Sequence, residues 1–147
     1  MKYTCSVKVP LNRTDCVNLW MDESQFAEWQ DGFQSKTWIE GKPNEIGSKS
    51  DIVLAQGKRR MELRETILDN NLPEHIEGRY DHIHMTNTQK ITFEAMSSDS
   101  TLLTSDVEYT AFHSFMPKLM AKLFPGMFKK QSQKWLDQFR ELAERNN

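Results

Sequence analysis

The chain predicts an α+β domain: a curved antiparallel sheet wrapped around a long C-terminal helix, with two short helices after the first strand. Three observations predict it. Residues 2–9 alternate between apolar and polar with period two. The stretch from Phe33 to Phe115 carries strand and turn signals and no sustained helical period. From Met116 onward, apolar residues recur at helical spacing almost to the C-terminus. A sheet followed by one long helix must bury that helix's apolar stripe against a sheet face. Where the sheet curves, the space between the two can open into a cavity able to hold a ligand.

In the first strand Tyr3, Cys5, Val7 and Val9 share one face, with Lys2, Thr4, Ser6 and Lys8 on the other. Pro10 ends it. Asn12 and Asp15 have the spacing of a capping box, and Cys16, Leu19 and Trp20 follow at helical spacing. Ser24 is placed to cap a second short helix carrying Phe26 and Trp29, closed by Asp31-Gly32. Turn clusters at Gly41-Lys42-Pro43-Asn44, Gln56-Gly57-Lys58 and Asp69-Asn70-Asn71-Leu72-Pro73 separate the next strands. Further strands are expected over Ile76–Thr86, Lys90–Met96 and Leu102–Phe115, with turns at Thr86-Asn87-Thr88 and Ser97-Ser98-Asp99-Ser100. The last segment carries Met116, Leu119, Met120, Leu123, Phe124 and Met127 on one side, then Phe128, Trp135, Phe139 and Leu142. Pro125 lacks an N–H, which predicts an interruption or kink of this helix there.

At 147 residues, residues 1–147 are expected to form one domain with a real core. The aromatic fraction of 10% argues against disorder. A formal charge of −2 supplies no electrostatic reason to expect nucleic acid or an anionic membrane as partner. No apolar run reaches the roughly 18 residues of a membrane span. The opening residues lack an apolar signal core, so a cytoplasmic location is expected, with Cys5 and Cys16 reduced and buried.

The element order resembles the helix-grip fold of the START / Bet v 1-like (SRPBCC) superfamily. Local residues carry the likeness further. Val7-Lys8-Val9-Pro10, the capped helix with Val17 and Trp20, then Asp22 and Trp29, look like the opening of its polyketide cyclase/dehydrase-like members. The run Glu40-Gly41-Lys42-Pro43-Asn44-Glu45-Ile46-Gly47-Ser48-Lys49 is similar to the glycine-bounded turn of that subgroup. The resemblance spans essentially the whole chain and rests on caps, turns and packing tryptophans. It implies a cavity under the long helix that takes lipids, polyketides or other apolar small molecules, without a cofactor. A minority of such proteins are cyclases or dehydratases, and no residue set here matches a known catalytic one.

The expected ligand walls are Met120, Phe124 and Phe128 on the helix, with Trp38, Met61, Leu63 and Tyr109 facing them. Methionine is unbranched and polarizable, so it remoulds around varied ligands; the same stripe also reads as an ordinary packed core. Glu65 shares a strand face with Met61, Leu63 and Ile67. It is either a carboxylate suited to acid–base work or one paired across the sheet. His82 and His84 form an H-x-H pair on an expected strand, but a metal needs a third ligand, so none is expected. Tyr109 is either a carbonyl orienter or a core tyrosine with its hydroxyl at the rim. The leading function is binding of an apolar or amphipathic small molecule. The alternatives are a metal-free cyclase or dehydratase with Glu65 and His82 as acid–base groups and Tyr109 as orienter, and a protein-binding module.

Overall fold

The computed structural model describes residues 1–147. Strand β1 (Lys2–Val9) leads into helix α1 (Arg13–Met21), a 3₁₀ turn (Glu23–Gln25) and the single-turn helix α2 (Phe26–Trp29). Strands β2 (Phe33–Glu40), β3 (Lys49–Gln56), β4 (Arg59–Asn71), β5 (His75–Asp81), β6 (Met85–Ser97) and β7 (Ser100–Phe112) form an antiparallel meander. Helices α3 (Phe115–Leu123) and α4 (Pro125–Arg145) complete the chain. β1 pairs with β7, so the sheet order is β1-β7-β6-β5-β4-β3-β2. Strands adjacent in sequence, β1 and β2, thus lie at opposite edges. The α1–α2 segment crosses between them over the concave face. The result is the α+β helix-grip architecture anticipated above.

The caps explain the crossing. The Asp15 amide donates to Asn12 Oδ1 at 2.8 Å, as the capping spacing predicts. The second cap differs: Asp22, not Ser24, is the capping residue, accepting from the Ser24 amide at 3.0 Å and the Ser24 hydroxyl at 2.6 Å. The aspartate's two-residue reach favours an Asx turn over a serine cap. Gly32 then turns the chain into β2 with φ of +76°. Its carbonyl accepts from Ala55 N at 2.7 Å, and a Cβ there would lie 1.9 Å from Ala55 O.

Helix α4 lies across β1 and α2. Its inner face carries Leu136, Phe139, Leu142 and Ala143, all buried. Phe139 meets Trp20 and Trp29 edge-on, at centroid distances of 5.0 and 5.5 Å. Trp20 and Trp29 approach each other to 4.4 Å. Polar ties fix the helix: Gln138 Nε2 donates to the Trp29 carbonyl at 2.7 Å, and Lys134 pairs with Asp31 at 3.0 Å. That lysine, with a second donor from Gln138, holds the Asp31 carboxyl below the usual range. Cys5 and Cys16 are both buried and unpaired, and burial pushes the Cys16 thiol up to about 12. No helix is long and apolar enough to cross a membrane.

One expectation is sharpened and one corrected. The interruption expected at Pro125 is a complete break, so the C-terminal segment forms two helices. Phe124, at φ −133° and ψ 59°, ends α3. Pro125 opens α4 at its first position, where its missing N–H costs nothing. The turn after β5 falls at 82–84, where His82 and Met85 exchange backbone bonds of 2.9 and 3.3 Å. Residues 86–88 are strand. The H-x-H pair therefore sits on a turn, with ring centroids 5.2 Å apart.

Two substitutions test this packing. Gly32→Ala meets both a left-handed backbone and the Ala55 carbonyl, and should destabilise by about 3 kcal/mol, measured by urea unfolding. Phe139→Ala, which empties a fully buried site, should cost about 3–5 kcal/mol in the same assay.

Candidate functional site

The concave face of the sheet does not pack completely against α4. Between them lies a cavity of about 300 Å³, with 19 of its 30 lining residues hydrophobic. Trp20, Phe26, Trp29 and Phe33 line it from the α1–α2 side, and Gln131, Ser132, Trp135 and Leu136 from α4. The sheet contributes inward residues at period two: Met61, Leu63, Glu65 and Ile67 from β4, and Ile76, Gly78 and Tyr80 from β5. The volume is at the small end of ligand-binding pockets.

Strand register builds a polar row across this wall. Trp38, Ser50, Glu65, Tyr80, Asn87 and Tyr109 are successive partners on β2 through β7. Directly paired residues face the same side of a sheet. The row thus places Glu65 between Ser50 and Tyr80. Ser50 Oγ donates to Glu65 Oε1 at 3.1 Å, and Tyr80 OH donates to Glu65 Oε2 at 2.7 Å. From the neighbouring row, Lys36 Nζ reaches Glu65 Oε1 at 2.9 Å. The Lys36 and Glu65 side chains are only 6% and 7% exposed, so the pair is shielded from water. Among the cavity-lining residues they alone belong to the Asp, Glu, Lys and Arg types.

Lys36 points inward because of a bulge. The β2–β3 register shifts between Phe33 and Ser35, so Phe33 and Lys36 both face the cavity. The ammonium lies 4.5 Å from the Trp38 ring centroid and 5.6 Å from that of Phe26. These ring faces stabilise a cation already held by a carboxylate. Tyr80 is raised well above the ordinary phenol pKa, by burial first and then by the Glu65 charge. It remains a neutral donor at neutral pH. Its ring lies over Gly78, whose missing Cβ would come within 3.1 Å of the Tyr80 hydroxyl. At Gly78 it is therefore space under the Tyr80 ring, rather than backbone conformation, that favours glycine.

A second polar group stands toward β1 and β7. Tyr3 OH and Ser132 Oγ are 2.7 Å apart, and the Tyr3 and Tyr109 rings are 6.5 Å apart. Burial, and then the neighbouring Tyr3, push the Tyr109 hydroxyl above its ordinary pKa. His82 lines the cavity just beyond Tyr80, its pKa lowered by burial and then by His84. A neutral His82 ring is thus favoured at neutral pH.

Of the residues singled out from sequence, Glu65, His82, Met61, Leu63 and Tyr109 line this cavity. Trp38, Met120, Phe124 and Phe128 lie outside its lining. Trp38 covers Lys36 and donates from Nε1 to Glu23 at 2.8 Å. Phe128 stands behind Tyr109, edge-on at 5.0 Å. Met120 is half-buried on α3, and Phe124 is 53% exposed. The helix break explains the displacement: α3 leaves the concave face, so the cavity's helical wall comes from Gln131–Leu136 instead. His84 is turned away, its Nδ1 2.6 Å from Ser114 Oγ. His113 pairs with Thr86 at 3.0 Å. Lys36, Ser50, Gly78 and Tyr80 are the site residues not selected from sequence.

The ion pair makes a stability prediction. Lys36→Met leaves a buried carboxylate without its counter-charge and should cost about 3–5 kcal/mol by chemical denaturation. Adding Glu65→Gln should recover most of that loss, because the carboxamide needs no counter-charge. Equal instability of the single and double variants would assign the cost to packing alone.

No family model matches the chain, and no curated protein matches it by sequence. Solved structures do. A START superfamily protein from Mycobacterium smegmatis superposes with a TM-score of 0.78 at 14% identity, covering 99% of both chains. The Zhui aromatase/cyclase from Streptomyces sp. R1128 gives 0.77 at 12% identity, covering 99% of this chain and 94% of that one. Norcoclaurine synthase from Thalictrum flavum, in complex with dopamine and hydroxybenzaldehyde, gives 0.70 at 13% identity, covering 100% and 88%. Such likeness over most of each chain at low identity is a likeness of fold. The chain has the helix-grip fold of the START / Bet v 1-like (SRPBCC) proteins.

Proposed function

We propose that this protein binds an apolar or amphipathic small molecule, lipid- or polyketide-like, between the sheet and α4. The observation that carries the reading is the buried Lys36–Glu65 pair, with Tyr80 and Ser50, in an otherwise largely apolar cavity. Met61, Leu63 and Tyr109 would hold the apolar body of the ligand. Each 100 Å² of ligand apolar surface buried contributes about 2.5 kcal/mol before the costs of association. The charged cluster would select an occupant with a hydrogen-bonding group at one end, because a wholly apolar one would leave that end of the cavity without polar contacts. Its small volume favours a compact ligand over a long-chain lipid. The same reading places the protein in the cytoplasm, which two unpaired buried cysteines support.

A second reading, a cyclase or dehydratase, is favoured by one specific feature. Lys36, Glu65, Tyr80 and His82 line one cavity, so a single bound substrate can lie among them. Glu65 would take a proton from a carbon next to a carbonyl, Lys36 or Tyr80 would donate toward the developing oxyanion, and neutral His82 would relay a proton. Among proteins of this fold, an aromatase/cyclase and norcoclaurine synthase are enzymes by name.

Native mass spectrometry of freshly purified protein should reveal a retained small molecule. Leu63→Trp, which narrows the cavity, should reduce both that mass and uptake of the fluorescent probe N-phenyl-1-naphthylamine, with the fold retained by circular dichroism. Probe uptake unchanged by Leu63→Trp would refute cavity binding. For the enzyme reading, wild type should convert a short poly-β-keto thioester to a cyclised product, and Glu65→Gln should slow turnover at least about 100-fold. Binding of the thioester without any cyclised product would leave the first reading standing alone.

A further inference from the structure

Helix α3 is apolar, yet none of its residues is buried. Phe115 is 73% exposed, and Met116, Leu123, Phe124 and Met127 are more than half exposed. Ile83, 78% exposed, sits on the β5–β6 turn beside them. That turn is tied to the start of α3: His113 N donates to the His84 carbonyl at 2.7 Å, and His84 Nδ1 meets Ser114 Oγ. All six belong to α3, the Phe124–Pro125 break, the first turn of α4 or the turn tied to the start of α3. Isolated exposed apolar residues need no explanation, but a cluster of this kind does.

The charge around this surface says what covers it. Between Glu108 and Asp137 the chain has no acidic residue and five lysines. The net charge of −2 alone gives no attraction to an anionic surface, but it is unevenly spread: those five lysines leave the remainder at −7. Lys134 pairs with Asp31, whereas Lys118, Lys122, Lys129 and Lys130 take part in no ion pair. Lys118 and Lys122 are exposed on α3 itself, a turn apart. An amphipathic helix with bulky apolar side chains and adjoining free lysines, on an otherwise acidic molecule, matches the surface of an anionic bilayer. Phenylalanine, leucine and methionine enter the acyl boundary while the ammonium groups stay at the phosphates.

We infer that α3 and the first turn of α4 dock this protein on anionic phospholipid membranes. The docking face adjoins the cavity. Ile83 lies between His82 and Met85, which line it, and Phe128 packs on Tyr109, which lines it as well. A docked molecule therefore presents that end of the cavity to the bilayer. The inference stands independently of the cavity's occupant.

Co-sedimentation tests it, with vesicles of phosphatidylcholine alone and of phosphatidylcholine mixed with phosphatidylglycerol. The protein should pellet with the mixed vesicles and not the neutral ones, and salt should release it. Phe115→Ser combined with Phe124→Ser should weaken binding at least about tenfold, as should Lys118→Glu combined with Lys122→Glu. Both pairs are exposed, so both variants should keep the wild-type melting temperature. Leu63→Trp, with its cavity narrowed, should bind vesicles as wild type does, which separates this inference from the ligand reading. Absence of pelleting with anionic vesicles would overturn it. So would undiminished binding by both double variants, or a dimer in light scattering that Phe115→Ser dissolves, which would give the surface to a second copy.

Discussion

A carboxylate buried in the concave face of a sheet has to be satisfied from within the protein, and the interior of this molecule is arranged around that requirement. Glu65 is 5% exposed and takes one cation and two hydroxyl donors. Each donor comes from a different strand, so the arrangement exists only when β2, β3, β4 and β5 are all in register. A one-residue slip would turn the donors outward and leave the charge bare. The bulge near Ser35 and the side-chain-free surface of Gly78 serve the same end. One turns Lys36 inward, and the other makes room for the Tyr80 ring.

The cavity follows from how the remaining core is distributed. The aromatic cluster of Trp20, Trp29 and Phe139 fills the space where α1, α2 and α4 converge. Farther along, the chain breaks at Phe124 and α3 leaves the concave face. Nothing replaces it there except the α4 residues Gln131–Leu136. The aromatic cluster thus closes one side of the cavity through Trp20 and Trp29, while Glu65, Tyr80, Asn87 and Tyr109 of the polar row line its sheet wall.

Much of this was legible in the sequence. Period two in β1 and β4, the Asn12 cap, and the helical spacing of Trp135, Phe139 and Leu142 mark the main elements and the helix that grips the sheet. On β4, alternation alone puts Met61, Leu63 and Glu65 on the cavity side. What alternation cannot supply is register between strands, and register decides that Tyr80 and Ser50 meet Glu65. Lys36 had a signal, since it lies two residues from Trp38 on the same strand. A strand lysine ordinarily faces water, and its partner is 29 residues away. The C-terminal segment misleads for a different reason. The apolar pattern runs through Pro125 without a gap, so periodicity cannot distinguish a kink from a complete break. It is the break that moves Met120 and Phe124 from the cavity wall to the surface.

The polar row belongs to the most cross-linked part of the molecule, whereas the opposite wall belongs to helices that meet the sheet only through side chains. Adaptation to a new occupant should divide accordingly. Substitutions at Gln131, Ser132 or Trp135 can alter the length and breadth of the space without disturbing strand pairing. A change in the required head-group chemistry must pass through Lys36 or Glu65, and neither can be altered alone without exposing the other. In a lineage built on this scaffold, ligand size would drift easily while ligand polarity changed only by paired replacement.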